Sequence, residues 1–136
     1  RRAGLTAEEA LALRLWTGPM HVKYNAVLTG HPKGVRLSLG SSRYSTTIAL
    51  ILHALVKVSP HQELGGRRVF VGLGDQAWHS PIWKPDALGF KGAFTRAFVS
   101  ASLSLPAALT VPWTHEQRQV ALEIQVARTS MAVDLA

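Results

Sequence analysis

Six histidines, eight carboxylates and no cysteine bound the chemistry that this chain of 136 residues can perform. Without Cys there is no thiolate nucleophile, disulfide, iron–sulfur centre or zinc–cysteine site. The histidines (His21, His31, His53, His61, His79, His115) include no pair at metal-ligand spacing with a third ligand nearby, so no metal is expected. Gly72-Leu73-Gly74-Asp75-Gln76-Ala77 has the spacing of a dinucleotide-binding turn. That turn works only when a helix follows and offers its N-terminus to the pyrophosphate, and Trp78-His79-Ser80-Pro81, with Pro85 behind it, cannot continue one. The expectation is an ordinary glycine turn. No nucleophile elbow, P-loop or paired carboxylate is present, so acid–base candidates are few.

The elements that must position any site divide at Gly65-Gly66. Before them the apolar period is helical. Thr6 and Glu9 form a capping box ahead of Leu11, Leu13, Leu15 and Trp16, which starts a helix at Thr6. Thr17-Gly18-Pro19 stops it, and a second short helix is expected from Pro19 to Leu28, ended by Gly30 and Pro32. Lys33 to Ser42 reads as a Gly/Ser loop. Tyr44 to Val58 carries Ile48, Ile51, Leu52, Leu55 and Val56 in one stripe, a third helix ending at Ser59-Pro60. After Gly66 the period falls towards two. Strands are expected over Arg67 to Leu73, Phe94 to Leu103 and Gln119 to Ala127, with a long loop over Gly74 to Gly92 whose aromatics cover part of the core. Helices followed by strands predict an α+β class, a single domain over 1–136 with a helical part (1–60) and a β part (66–136).

Fifteen Lys and Arg against eight Asp and Glu leave +7, which permits nucleic acid or acidic lipid as partner. The cations are scattered: the densest group is Arg67-Arg68, and Lys23, Lys33, Arg36, Arg43 and Lys57 fall in three segments. A solvated basic surface is the expectation, with no specific nucleic acid and no membrane partner. The longest apolar run, Ile48 to Val58, is interrupted by His53 and Lys57 and is too short to span a bilayer, and Glu8-Glu9 stand where a signal peptide would be apolar. An intracellular setting is therefore expected.

Several segments, in order and from end to end, resemble the mono-ADP-ribosyltransferase family that uses NAD to modify arginine. Leu15-Trp16-Thr17-Gly18-Pro19, then Val22-Lys23-Tyr24-Asn25-Ala26-Val27-Leu28, are similar to its Tyr-Thr-Gly and Asn-x-x-Leu phrases. Tyr44-Ser45-Thr46-Thr47 opens a long apolar helix, Val69-Phe70-Val71-Gly72-Leu73 lies where the family reads Val-Tyr-Arg-Gly, and Phe98-Val99-Ser100-Ala101-Ser102 where it reads Phe-x-Ser-Thr-Ser. Leu122-Glu123-Ile124-Gln125-Val126 and Ala132-Val133-Asp134-Leu135-Ala136 resemble the strand and turn leading to its Glu-x-Glu motif.

The resemblance implies an N-terminal helical lobe packed on a split, mainly antiparallel β-sheet, with NAD (or NADP) as co-substrate and a protein bearing an acceptor arginine as partner. It implies Ser100 as the catalytic serine, and Val71, Gly72, Arg96 and Ser102 as the NAD-binding positions. Nicotinamide loss builds positive charge on the ribose, which the family's second Glu stabilises, while the first orients the acceptor guanidinium. Val71 stands in place of the phosphate-gripping Arg and offers no donor. Arg96, sharing strand parity with Ser100, is the expected substitute, because Arg68 points to the face opposite Val71. No Glu-x-Glu occurs in the 136 residues: Glu123 alternates as a solvent-facing strand residue and Asp134 resembles a turn residue. The resemblance implies a domain continuing past Ala136 to that pair and to its last strands, and Arg1-Arg2 suggest residues before them. The 136 residues alone are expected to be inactive as a transferase. The alternative is a degenerate module that binds a nucleotide or a protein without chemistry.

Overall fold

The computed structural model describes residues 4–62, 64–74, 84–92, 94–110, 120–127 and 132–135. Chain contacts divide these into two compact units, 1–66 with 127–136, and 67–126.

The first unit is helical. Helix α1 (Ala7–Thr17) starts at the expected capping box: the Glu9 N–H donates to Thr6 Oγ1 (3.2 Å) and the Thr6 N–H to Glu9 Oε2 (2.8 Å). Helix α2 (His21–Thr29) ends at Gly30, whose φ of 78° lets its N–H reach back to Ala26 O at 2.9 Å. The predicted loop after it contains a further short helix, α3 (Lys33–Ser38). Pro32 pre-sets φ at −64° on its N-cap, and the Arg36 N–H closes the first turn on Pro32 O at 3.0 Å. Counting Gly and Ser in that segment overlooks this start signal. Helix α4 (Ser45–Val58) is followed by a 3₁₀ turn (Ser59–His61).

Helices α1 and α4 pack together around Ala12, Leu13, Trp16, Ile48, Ile51 and Ala54, all buried. Tyr24 of α2 is buried too, its ring edge-on to Tyr44 at 5.5 Å between centroids. The C-terminal segment joins this unit through a reciprocal pair, the Gln62 side-chain amide donating to Asp134 O and accepting the Asp134 N–H.

Glu9 is the one buried charged side chain among the described residues. Lys57 near the end of α4 meets both its oxygens, at 2.7 and 2.8 Å, and the Thr6 N–H caps Oε2. The Lys57 hydrogen bond, then that of Thr6, hold the Glu9 carboxyl below the ordinary glutamate range despite its burial. A carboxyl depressed in the folded state adds stability that is complete above its unfolded value, about pH 4, and fades as pH falls through the lower folded value. Between pH 6 and 3 the thermal midpoint is therefore expected to fall more steeply for the wild type than for Glu9→Gln. Parallel curves in scanning calorimetry would contradict the pairing.

The second unit carries strands β1 (Arg68–Gly74) and β2 (Val120–Gln125), paired antiparallel with Arg68 opposite Gln125, Phe70 opposite Glu123 and Gly72 opposite Ala121. The register slips between Gly72 and Gly74. The short helix α5 (Leu105–Leu109), capped by Ser104, packs against both strands and buries Ala108. The class is α+β.

The strand expected over Phe94 to Leu103 does not form among its described residues; one bridge pair, Phe70 with Ser102, remains of it. Local hydroxyls explain this: Thr95 Oγ1 accepts the Ala97 N–H and Ser102 Oγ the Ser104 N–H, each at 3.1 Å. Such bonds turn the chain and compete with a ladder. The loop expected over Gly74 to Gly92 is irregular where it is described, 84–92, and exposed there, Phe90 included; Trp78 and Trp83, two of the aromatics expected to cover the core, lie outside the described residues. The turn Asp75 to Ala77 lies outside the described residues.

Candidate functional site

Residues directly opposite in an antiparallel sheet project to the same face, and neighbours along a strand to opposite faces. Phe70 sits in the middle of three aligned segments. On one side it pairs with Glu123; on the other it exchanges two backbone hydrogen bonds with Ser102, both 2.8 Å. Ser102, Phe70 and Glu123 therefore lie in one row on one face, and Arg68, two residues before Phe70, is on that face as well. The Arg68 guanidinium reaches Glu123 with Nη1 3.4 Å from Oε1, and both side chains are exposed. Gly72 and its partner Ala121 continue this face with almost no side chain, a low floor beside the charged pair.

The opposite face is apolar, formed by Val69, Val71, Leu122 and Ile124, all half-buried. Val71 faces Leu122 across the ladder, so it stands on the side away from Ser102. The sequence-derived site thus splits. Gly72 and Ser102 share the polar face, Val71 does not, and Ser100 lies exposed two residues before Ser102 with no strand pairing of its own. Arg96 is in a bend and exposed, so the strand parity that was to align it with Ser100 is missing.

Arg68 and Glu123 are the residues that sequence reasoning passed over. Parity correctly sets Arg68 opposite Val71. The missing piece was which of the two faces the serine segment joins, and that depends on a long-range register. Strand alternation placed Glu123 on the solvent side, and its side chain is about half exposed. A cross-strand Arg–carboxylate pair in this setting contributes at most about 1 kcal/mol, so it is readily opened by a competing anion.

The arrangement offers a planar fork of donors for an anion, an aromatic ring, a hydroxyl, a carboxylate and a low floor. Ser102 Oγ already accepts the Ser104 N–H at 3.1 Å, which fixes the side chain and leaves its own O–H to donate outward. Among the described residues no cluster of three or more His, Asp or Glu side chains forms a metal site, and no helix is long and apolar enough to cross a membrane. No family model matches the chain, and the comparisons with curated proteins and with solved structures found no match.

Proposed function

We propose that this chain is an ADP-ribosyltransferase-like domain that holds a nicotinamide dinucleotide on the Arg68–Phe70–Ser102–Glu123 face without turning it over. The observation that supports this reading best is the pairing of Phe70 with Ser102, which sets the Val-x-Val-Gly strand beside the Ser-x-Ser segment. Those two segments carry the middle of the family resemblance, and the paired residues are 32 positions apart in sequence. In this reading Arg68 grips the pyrophosphate in place of the Arg that Val71 lacks, Ser102 donates to a ribose hydroxyl, and Gly72 with Ala121 leaves room for the sugar.

Turnover needs a carboxylate aimed at the ribose as positive charge builds there. Glu123 faces the Arg68 cation. With Glu123 held by that cation rather than aimed at the ribose, this face is suited to holding the dinucleotide and not to cleaving it. The experiment is a titration of NAD into the chain with released nicotinamide measured in parallel. Saturable binding with no nicotinamide above the buffer rate is expected. Steady nicotinamide release would show that a carboxylate here does act on the ribose, and an absence of binding would remove the dinucleotide altogether.

A further inference from the structure

A separate feature of the second unit, independent of the dinucleotide reading, lies in the segment 84–96. Its sequence Asp86-Ala87-Leu88-Gly89-Phe90 forms a tight loop: the Gly89 N–H donates to Asp86 O and the Asp86 N–H to Phe90 O, both at 2.9 Å. Gly89 takes the left-handed conformation, φ 79°, that such a three-residue loop requires. The Asp86 carboxylate is used inside the loop, Oδ1 accepting the N–H groups of Leu88 (2.8 Å) and Phe90 (2.9 Å). The Phe90 ring lies over Gly92, where an added Cβ would stand 3.1 Å from Cζ at a φ of 151° that only glycine adopts freely.

This hydrogen-bonded loop does not fold its apolar side chains inward. Leu88 is 93% exposed and Phe90 64%, and Phe94, just beyond, is 84% exposed. Leu88 and Phe94 are the two most exposed large apolar side chains among the described residues. The same stretch of sequence carries Lys84, Lys91 and Arg96, all exposed, against the single acid Asp86, whose charge already serves two backbone donors. Three such side chains present a few hundred Å², well short of the roughly 800 Å² that each partner contributes to a stable protein interface. The same tip is well suited to a bilayer surface, where a Leu and two Phe enter the headgroup boundary while the cations meet anionic lipid.

We infer that the Leu88–Phe90 tip is an interfacial anchor that seats this chain on an anionic lipid surface. The sequence expectation of no membrane partner rests on the lack of a spanning run and on scattered cations; a tip needs neither, only apolar side chains held outward with positive charge beside them. The overall charge of +7 adds long-range attraction in the same direction.

Co-sedimentation of the chain with phosphatidylcholine vesicles, with and without 30% phosphatidylserine (roughly a cytoplasmic-leaflet anionic content), tests this. Binding to the anionic vesicles at low salt and not to the neutral ones is expected. Leu88→Ser with Phe90→Ser should weaken it at least ten-fold, and Lys91→Gln about five-fold. No binding to anionic vesicles overturns the proposal, as does undiminished binding of the Leu88→Ser/Phe90→Ser chain. Self-association that disappears in that same variant, with no vesicle binding, would assign the tip to a second copy instead. Because the chain has no cysteine, an environment-sensitive dye on Leu88→Cys gives a second readout that does not depend on the serine variant folding. Its emission should shift to the blue with anionic vesicles while a dye on Ser41→Cys stays unchanged. Equal behaviour at both positions would sink the proposal.

Discussion

Ile51→Ala is expected to lower the unfolding free energy of the helical unit by about 2–5 kcal/mol, the usual range for emptying a fully enclosed aliphatic site. Ile51 is 0% exposed, in the stretch of α4 that packs on α1, and with Tyr24 it is one of the two largest fully buried side chains among the described residues. Its neighbour Leu52 is 43% exposed, so Leu52→Ala should cost far less in the same urea titration followed by far-UV circular dichroism. Similar losses at both positions would mean that α4 presents a different face to α1.

The second large effect concerns the polar face. Arg68→Ala should reduce NAD affinity by about ten-fold or more, since hydrogen bonds to a charged group are worth roughly 1.5–3 kcal/mol each. Glu123→Gln should do the reverse by a few-fold, because it frees the guanidinium that Glu123 now holds at 3.4 Å. Val71→Arg separates the structural account from the resemblance taken alone. Resemblance puts the phosphate-binding Arg at that position and anticipates a gain. The register turns the side chain onto the apolar face of Val69, Leu122 and Ile124, so no gain in affinity is expected and stability should fall by roughly 1 kcal/mol. Isothermal titration of the three variants distinguishes the two outcomes.

The parts of this fold that could be read from sequence are those decided locally. Thr6 and Glu9 satisfy each other's backbone groups within one turn, so the start of α1 is written in four residues. The apolar stripe of α4 and the alternation of Val120 to Gln125 carry their own periods, and the structure forms helix and strand there. Phe94 to Leu103 has strand-like composition, yet Thr95 and Ser102 spend their hydroxyls on the backbone two residues ahead. Composition does not reveal which hydrogen bond wins. The candidate site depended on something further from local reach. Whether Ser102 joins the side of Val71 or of Arg68 is fixed by one pairing between residues 32 positions apart, and a shift of one residue would reverse it. The ion pair of Lys57 with Glu9, linking the two ends of the helical unit, was invisible for the same reason. The Asp86 to Phe90 turn does carry a local signature, an Asp with Gly three residues later, which reading 74–92 as one long loop passed over.

Backbone amide shifts of the isotopically labelled chain during the NAD titration test the central claim most directly. The dinucleotide is predicted to move the resonances of Arg68 to Gly72, Ala101 to Leu103 and Ala121 to Glu123 together, with one saturation curve, and to leave α1 and α4 unperturbed. Shifts confined to the helical unit, or none at millimolar NAD, would contradict it.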